Sequence, residues 1–212
     1  MSSINLYSPL VAEFIGAVLG DGSIGEYECR RTDGKNSVQK VVKFTISKDE
    51  KEYAEHLNQI FEELFDYELI ESPRKDENTL DLRCFRSEVF EKVTSDLGLK
   101  KSPKKGRAVI PSRYIGTELE YDILRGLFDT DGSLVLTDNN GYLYPRLEIK
   151  VSRSPLQDQL KDILDRREFN YGAYNAGSGK LRFQMNGKEQ LSKWIETVGF
   201  NNQRHISKLE KL

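Results

Sequence analysis

The amino-acid sequence repeats itself, and this repeat limits the folds that the chain can adopt. Residues 14–23 read Phe-Ile-Gly-Ala-Val-Leu-Gly-Asp-Gly-Ser, and residues 124–133 read Leu-Arg-Gly-Leu-Phe-Asp-Thr-Asp-Gly-Ser. After each copy, a short strand-like segment ends in a basic residue, Lys48 or Arg153, and an amphipathic helical pattern follows. Because the parts recur in the same order, the chain is predicted to contain one structural unit twice.

The second part of each unit also recurs. The pair Leu82-Arg83 returns as Leu181-Arg182, and each pair leads into a helical pattern that stops at a glycine, Gly98 or Gly199. Each half is therefore predicted to be α-β-β-α-β-β-α, which gives a duplicated α+β fold and a monomer that forms an internal pseudo-dimer. We expect an N-terminal half, a polar linker and a C-terminal half, at residues 1–99, 100–116 and 117–212.

Composition excludes several classes of protein. The chain has 212 residues and 37% hydrophobic residues, enough for a core. It has no run of about 18 apolar residues and no signal-peptide pattern, so we expect an intracellular, cytoplasmic protein without a membrane partner. The two cysteines form no CxxC pair. The two histidines, His56 and His205, are interpreted as solvated positions, which disfavours histidine chemistry.

The charge balance argues against a general nucleic-acid binder. The net charge is −2, whereas neutralising phosphates usually needs a basic excess. Any basic surface must therefore be local. One basic run lies at residues 100–113, and both a solvated linker and a nucleic-acid contact fit it.

Both repeated motifs are predicted to be helices that pack together. Ser8-Pro9 is typical of a helix start, and Thr117 with Glu120 fits a capping box before the second motif. Small residues spaced four apart would let the two helices approach closely. These interface residues are Gly16, Gly20, Gly126 and Thr130.

Close packing of the helices would bring Asp21 and Asp131 together. Both would lie at helix C-termini, where the macrodipole disfavours each carboxylate by roughly 0.3–1 kcal/mol. Two such charges favour a bound cation, and oxygen ligands suit Mg²⁺ or Mn²⁺, whose bound water can attack phosphorus. One Asp-Gly-Ser alone is typical of a helix-ending turn. Two copies, each behind a helix of small residues, favour a metal-dependent nuclease site.

The two motifs, Phe14–Gly22 and Leu124–Gly132, resemble the signature motifs of the LAGLIDADG homing endonucleases. Leu19 replaces the first acidic letter, which Asp129 keeps in the second copy. The resemblance covers nearly the whole chain. It implies central signature helices and, in each half, an antiparallel sheet that forms part of a DNA-binding saddle. It also implies metal binding by Asp21, Asp131 and the carbonyls of Gly20 and Thr130, with the basic residues Lys48 and Arg153 near the scissile phosphates.

Strand alternation then predicts which side chains face DNA. The core side is assigned to Val42, Phe44, Ile46, Leu147, Ile149 and Val151. The DNA side is assigned to Gln39, Val41, Lys43, Thr45, Arg146, Glu148 and Lys150. Lys43 or Arg146 would suit guanine, and Glu148 a cytosine amino group, so the two half-sites should differ.

The predicted function is therefore site-specific cleavage of double-stranded DNA at a long asymmetric target, with short 3′ overhangs as the resemblance implies. Two alternatives stay open: a regulator that binds DNA without cutting it, and a maturase that binds intron RNA. An excised intein is disfavoured because Met1 and Leu212 lack splice-junction chemistry. An interaction protein without a nucleic-acid function would leave the paired aspartates unexplained.

Overall fold

The computed structural model describes residues 4–30, 34 and 36–212. The predicted α-β-β-α-β-β-α order is confirmed in both halves. The first half contains α1 (Pro9–Leu19), β1 (Gly22–Arg30), β2 (Asn36–Ser47), α2 (Lys51–Phe65), β3 (Ile70–Pro73), β4 (Thr79–Cys84) and α3 (Ser87–Glu91), which continues into a π-helical turn (Lys92–Asp96). The second contains α4 (Glu120–Asp131), β5 (Gly132–Asn139), β6 (Tyr142–Val151), α5 (Leu156–Arg166), β7 (Gly172–Asn175), β8 (Leu181–Asn186) and α6 (Gly187–Thr197). A short 3-10 helix in the linker (Ser112–Tyr114) and the C-terminal α7 (Gln203–Leu209) were not predicted.

The two signature helices begin differently. Ser8 caps α1, as predicted, by accepting a hydrogen bond from the Val11 amide at 3.2 Å. The capping box predicted for α4 is wrong, because the Thr117 hydroxyl donates to the Tyr114 carbonyl instead. Glu120 is the first residue of α4, and its buried carboxylate pairs with Arg166 and Arg167 at the C-terminal end of α5.

Each half builds one antiparallel sheet, with the strand order β1-β2-β4-β3 in the first and β5-β6-β8-β7 in the second. The registers correspond, because Gly22 pairs with Phe44 and Gly132 with Ile149 immediately after the signature helices. The glycines predicted to end α3 and α6, Gly98 and Gly199, both have positive φ.

The helices cover one face of each sheet and leave the other to solvent. In the first half, Phe14 of α1 contacts Phe44, Phe61 and Phe65, all of them buried. Burying each such ring contributes roughly 1.5–3 kcal/mol. In the second half, Phe128 packs on Trp194 and His205.

The solvated position predicted for His205 is wrong. Its side chain is fully buried between aromatic rings of the second half. That burial lowers the pKa of His205 to about 3, so the imidazole is neutral at physiological pH. Among the described residues, no helix is long and apolar enough to cross a membrane.

Candidate active site

The signature helices α1 and α4 cross with their backbones in contact. A Cβ atom on Gly16 would lie 2.2 Å from the Ile123 carbonyl oxygen, and one on Gly126 would lie 2.1 Å from the Glu13 carbonyl oxygen. At the next turn, a Cβ on Gly20 would lie 1.9 Å from the Thr130 hydroxyl. All four small residues assigned to the helix interface therefore lie at the crossing, and none of the three glycines has room for a side chain.

Glu13 adds a buried polar contact between the halves. Its carboxylate accepts hydrogen bonds from Arg125 of α4 at 3.0 and 3.1 Å. It also accepts from the Asn201 side chain at 2.7 Å and contacts His56 at 2.6 Å. Because a buried carboxylate is costly without partners, these contacts favour one alignment of the helices.

The crossing brings Asp21 and Asp131 together at the C-terminal ends of α1 and α4. The two carboxyl groups are close enough that each affects the pKa of the other. Burial and the neighbouring charge of Asp131 raise the pKa of Asp21 to about 7. Burial of the carboxyl group raises the pKa of Asp131 too, although part of the residue is exposed to solvent. At neutral pH the pair favours a shared proton or a bound cation over two free negative charges.

The charges of Lys104, Arg204 and Lys180, which the sequence analysis did not assign, act on this pair, and the first two bind the helix ends. Lys104 of the linker donates to the Leu19 carbonyl at 3.1 Å, at the end of α1. Arg204 of α7 donates to the carbonyls of Asp129 at 3.0 Å and Thr130 at 2.9 Å, at the end of α4. The charges of Lys104 and Arg204 lower the pKa values of both aspartates and so oppose the effect of burial. Each helix C-terminus thus has its own cation.

The donor set suits a hard divalent cation. Among the described residues, no group of three or more His, Cys, Asp or Glu side chains forms a metal site. The pair Asp21 and Asp131 would therefore need carbonyl, water or phosphate oxygens to complete an ion's shell. The two carbonyls assigned to this role differ, because the Thr130 oxygen already accepts a hydrogen bond from Arg204.

Lys48 and Arg153, which were assigned to the scissile phosphates, contact the turns of their own halves. The Lys48 ammonium donates to the carbonyls of Arg74 and Glu77, at 2.8 and 2.6 Å, and so holds the turn between β3 and β4. Arg153 packs its side chain against Gly179 in the corresponding turn between β7 and β8. The largest charge effects on the pKa values of Asp21 and Asp131 come from other residues, among them Lys104, Arg204 and Lys180. The adjacent turn carbonyls offer Lys48 hydrogen-bond acceptors that its position in the sequence does not reveal.

The outer faces of the sheets carry the residues assigned to DNA, with two differences. Gln39 and Lys150 are exposed, and Lys43, Thr45 and Arg146 are half-buried. Val41, expected to be exposed, is 5% exposed. It pairs with Gly25, over which the ring of Tyr27 lies, so neighbouring side chains on the same face cover it.

Glu148 also differs from its expected exposure, since it is 8% exposed. Its carboxylate forms ion pairs with Arg146 at 2.7 Å and with Arg182 at 3.9 Å. These arginines cover the Glu148 carboxylate from solvent, but they do not hydrogen-bond to its Oε1 atom, which has no hydrogen-bond partner among the described residues. Arg83 and Arg182 lie on the same outer faces and were not assigned, although the repeated Leu-Arg pair marked both positions.

Comparison with known proteins gives two sets of relatives. No protein-family model matches the sequence. A DNA polymerase of Methanocaldococcus jannaschii is 29% identical over 128 residues, which are 58% of this chain and 7% of the polymerase. A DNA polymerase of Thermococcus kodakarensis is 25% identical over 217 aligned positions, which cover 95% of this chain and 12% of the polymerase. The chain thus spans a small part of both relatives, and their name describes a much longer protein.

Solved structures match nearly the whole chain. The meganuclease I-SmaMI bound to DNA has a TM-score of 0.67 at 11% identity and covers 96% of this chain and 89% of its own. Variants of the homing endonuclease I-DmoI give 0.63 at 15% identity, over 92% and 97% of the two chains. The LAGLIDADG homing endonuclease I-LtrWI bound to target DNA gives 0.65 at 11% identity, over 97% and 88%. Other matches are I-SmaMI with DNA and calcium, and I-DmoI with DNA and calcium or manganese. At these identities the likeness shows the fold, and the chain has the fold of the LAGLIDADG homing endonucleases that its two signature motifs predict.

Proposed function

We propose that this chain is a site-specific endonuclease that hydrolyses one phosphodiester bond in each strand of a long, asymmetric DNA duplex. The observation that carries the proposal is the pair of Asp21 and Asp131, one from each half, which meet at the closest approach of two helices. Structural relatives bound to DNA, some with calcium or manganese, support it.

In this proposal Asp21 and Asp131 hold a divalent cation, Mg²⁺ or Mn²⁺, together with the Gly20 carbonyl. The bound ion would supply an activated water and would stabilise negative charge on the phosphate oxygens. The Thr130 carbonyl could join only by sharing its oxygen with Arg204. A cation would also relieve the repulsion that raises the pKa of Asp21.

The chain's own cations would act beside the aspartates. Lys104 lies at the end of α1, and its ammonium can approach a phosphate oxygen while it stays near the carbonyls of the helix. Arg204 occupies the corresponding place on α4 and is held by three carbonyls, those of Asp129, Thr130 and Gly132. The outer faces of the two sheets would each bind one half-site, which explains how a chain of net charge −2 binds DNA.

The test begins with a target. Duplexes that the protein binds are selected from a randomised library in calcium, then incubated with the protein and Mg²⁺ or Mn²⁺. We expect cleavage of both strands at one position, no cleavage in a chelator, and short 3′ overhangs when the ends are sequenced. Tight, site-specific binding without cleavage in either metal would favour a DNA-binding regulator. Absence of binding to any duplex would overturn the proposal.

A further inference from the structure

Each sheet has one carboxylate buried on its outer, solvent-side face. In the first half this is Asp81 of β4, with no exposed surface, and in the second it is Glu148 of β6, with 8%. Strand pairing places both on the face opposite the core, because Asp81 pairs with Thr45 and Glu148 pairs with Ser133. Because neither carboxylate lies in the core, its burial must come from the long side chains that surround it on the outer face.

The cluster around Asp81 consists almost entirely of cations. Arg74 donates to the two carboxylate oxygens at 3.1 and 3.2 Å, and Arg83 donates to one of them. Lys43 lies at 3.8 Å, and the Thr45 hydroxyl donates at 2.7 Å. Three cations thus surround one buried carboxylate, and Arg74 also pairs with the exposed Glu77 at 3.2 Å, so the cluster keeps a positive charge.

The second half has a similar cluster, in which Glu148 forms ion pairs with Arg146 and Arg182 but accepts no hydrogen bond from them. Lys43 and Arg83 face each other directly across the strands of the first sheet, and Lys150 and Arg182 do so in the second. Like charges at such positions repel. In each sheet a carboxylate two residues before one of these cations relieves the repulsion. It is Asp81 on β4, before Arg83, and Glu148 on β6, before Lys150.

The geometry of these clusters points to a role in reading DNA. We propose that Asp81 and Glu148 are positioning residues, which hold the arginines and lysines of the two outer faces in fixed directions for base recognition and do not contact bases themselves. This inference rests on the proposed function.

The physical basis is the competition between bases and phosphates for the same cations. A guanidinium tied at one edge to a carboxylate keeps its remaining N–H donors in a fixed plane, which suits the paired acceptors of guanine. An untied lysine or arginine turns to the nearest phosphate, which raises affinity for every sequence alike. A buried carboxylate should therefore lower general affinity and raise base discrimination.

The test compares Asp81→Asn and Glu148→Gln with the unmodified protein, in calcium, on duplexes that carry every single-base change of the selected target. For Asp81→Asn we expect discrimination to fall by about tenfold at a few adjacent base pairs of one half-site. Affinity for an unrelated duplex should rise, and the slope of log affinity against log salt should steepen by about one unit. Glu148→Gln should do the same in the other half-site.

Matched controls remove one negative charge from exposed positions at the ends of the same sheets. The variants are Asp76→Asn, in the β3–β4 turn, and Asp138→Asn, at the end of β5 beside the β5–β6 turn; both positions are exposed and lie outside the clusters. They should leave base discrimination unchanged. Asp81→Glu keeps the charge but moves it, so it should lower discrimination without raising affinity for unrelated DNA, and it also serves if Asp81→Asn does not fold.

Three results would overturn the inference. One is unchanged discrimination in folded Asp81→Asn and Glu148→Gln. Another is equal loss of affinity on all duplexes, which would indicate a purely structural role. The third is loss of preference at a single cytosine or adenine, which would make the carboxylate itself the reader. If the unmodified protein shows no sequence preference, the proposed function fails instead, and that result is seen before any variant is made.

Discussion

The charge of Asp21 depends on its neighbour as well as on pH. In the folded protein its pKa is about 7, against 3.8 for an ordinary aspartate. Between these values the folded state keeps a proton that the unfolded chain has released, so this group lowers stability as pH rises from about 4 to about 7. Asp21→Asn removes that loss because asparagine does not titrate.

Asp21→Asn is therefore expected to raise the melting temperature at pH 8 and to leave it nearly unchanged at pH 4, both without divalent metal. Cleavage should fall by more than about 100-fold, since a catalytic metal contributes several kcal/mol. DNA binding should persist, because the outer sheet faces are untouched. The measurements are thermal melts at the two pH values and single-turnover cleavage. A large fall in melting temperature at pH 8 would show that Asp21 is structural.

Lys104 is the cation of the site whose removal is most informative. Burial lowers the pKa of its ammonium, although Asp131 and Asp21 oppose this effect. Lys104→Met should reduce cleavage by about 100-fold, as loss of one charge-stabilising donor does elsewhere. It should also raise the pKa of Asp21 further, so the stabilisation that Asp21→Asn provides should become larger and should keep growing to a higher pH. Lys105→Met, at an exposed neighbouring position, is the control, and equal effects of the two substitutions would contradict the assignment.

The aspartates could be predicted from the sequence but their cations could not. Asp21 and Asp131 stand in a repeated motif, so each copy supports the interpretation of the other. Lys104 and Arg204 occupy a linker and a C-terminal helix whose paths depend on tertiary contacts, such as the hydrogen bonds between Ser102 and Ile24. The basic run at residues 100–113 contained the first of them, but nothing in its spacing distinguished Lys104 from its solvated neighbours.

At the scale of elements, the crossing of α1 and α4 depends on the absence of side chains at Gly16 and Gly126. Gly16→Ala should destabilise the protein by roughly 1–3 kcal/mol, because the new methyl group would overlap the Ile123 carbonyl and force the helices apart. Cleavage and stability should fall together, since the same shift separates the aspartates. Chemical unfolding and cleavage assays measure both.

The control for this prediction is Gly106→Ala in the linker. A Cβ there would meet nothing within 4 Å, but φ is +75°, so the change introduces backbone strain without overlap. Gly106→Ala should therefore leave the cleavage rate unchanged once the protein is folded. Unaltered unfolding of Gly16→Ala would mean that the helices can separate freely at this point.

The helices and strands could be predicted wherever hydrophobic residues recur along the sequence with the period of a helix or of a strand. The amphipathic helices predicted after Lys48 and Arg153 are found as Lys51–Phe65 and Leu156–Arg166. Alternation placed Phe44 and Ile149 correctly in the core. It failed to predict the covered state of Val41 and Glu148, because alternation gives the face of a residue but not what neighbouring strands place beside it. The ion pair between Glu148 and Arg182 of β8 joins residues far apart in the sequence, so no local pattern could predict it.

At the scale of the whole molecule, one chain offers two chemically different reading faces. Lys43 lies near Asp81 in the first half, and Arg146 lies near Glu148 in the second. Their side chains are 23% and 33% exposed, so each keeps donors available to a ligand. Since the duplication joins the two faces in one chain, they have been free to diverge, and the target should be no true palindrome.

Lys43→Ala should therefore relax base preference in one half-site, and Arg146→Ala in the other. Each should cost roughly 1–3 kcal/mol at the contacted base pair if the contact is to a base edge. Cleavage of a library of single-base target variants measures the preference at every position. Uniform weakening across the library would assign these side chains to phosphates. Loss of preference in both half-sites from one substitution would contradict the assignment of each half of the chain to one half of the target, because the two sheets contain no common strand through which such an effect could pass.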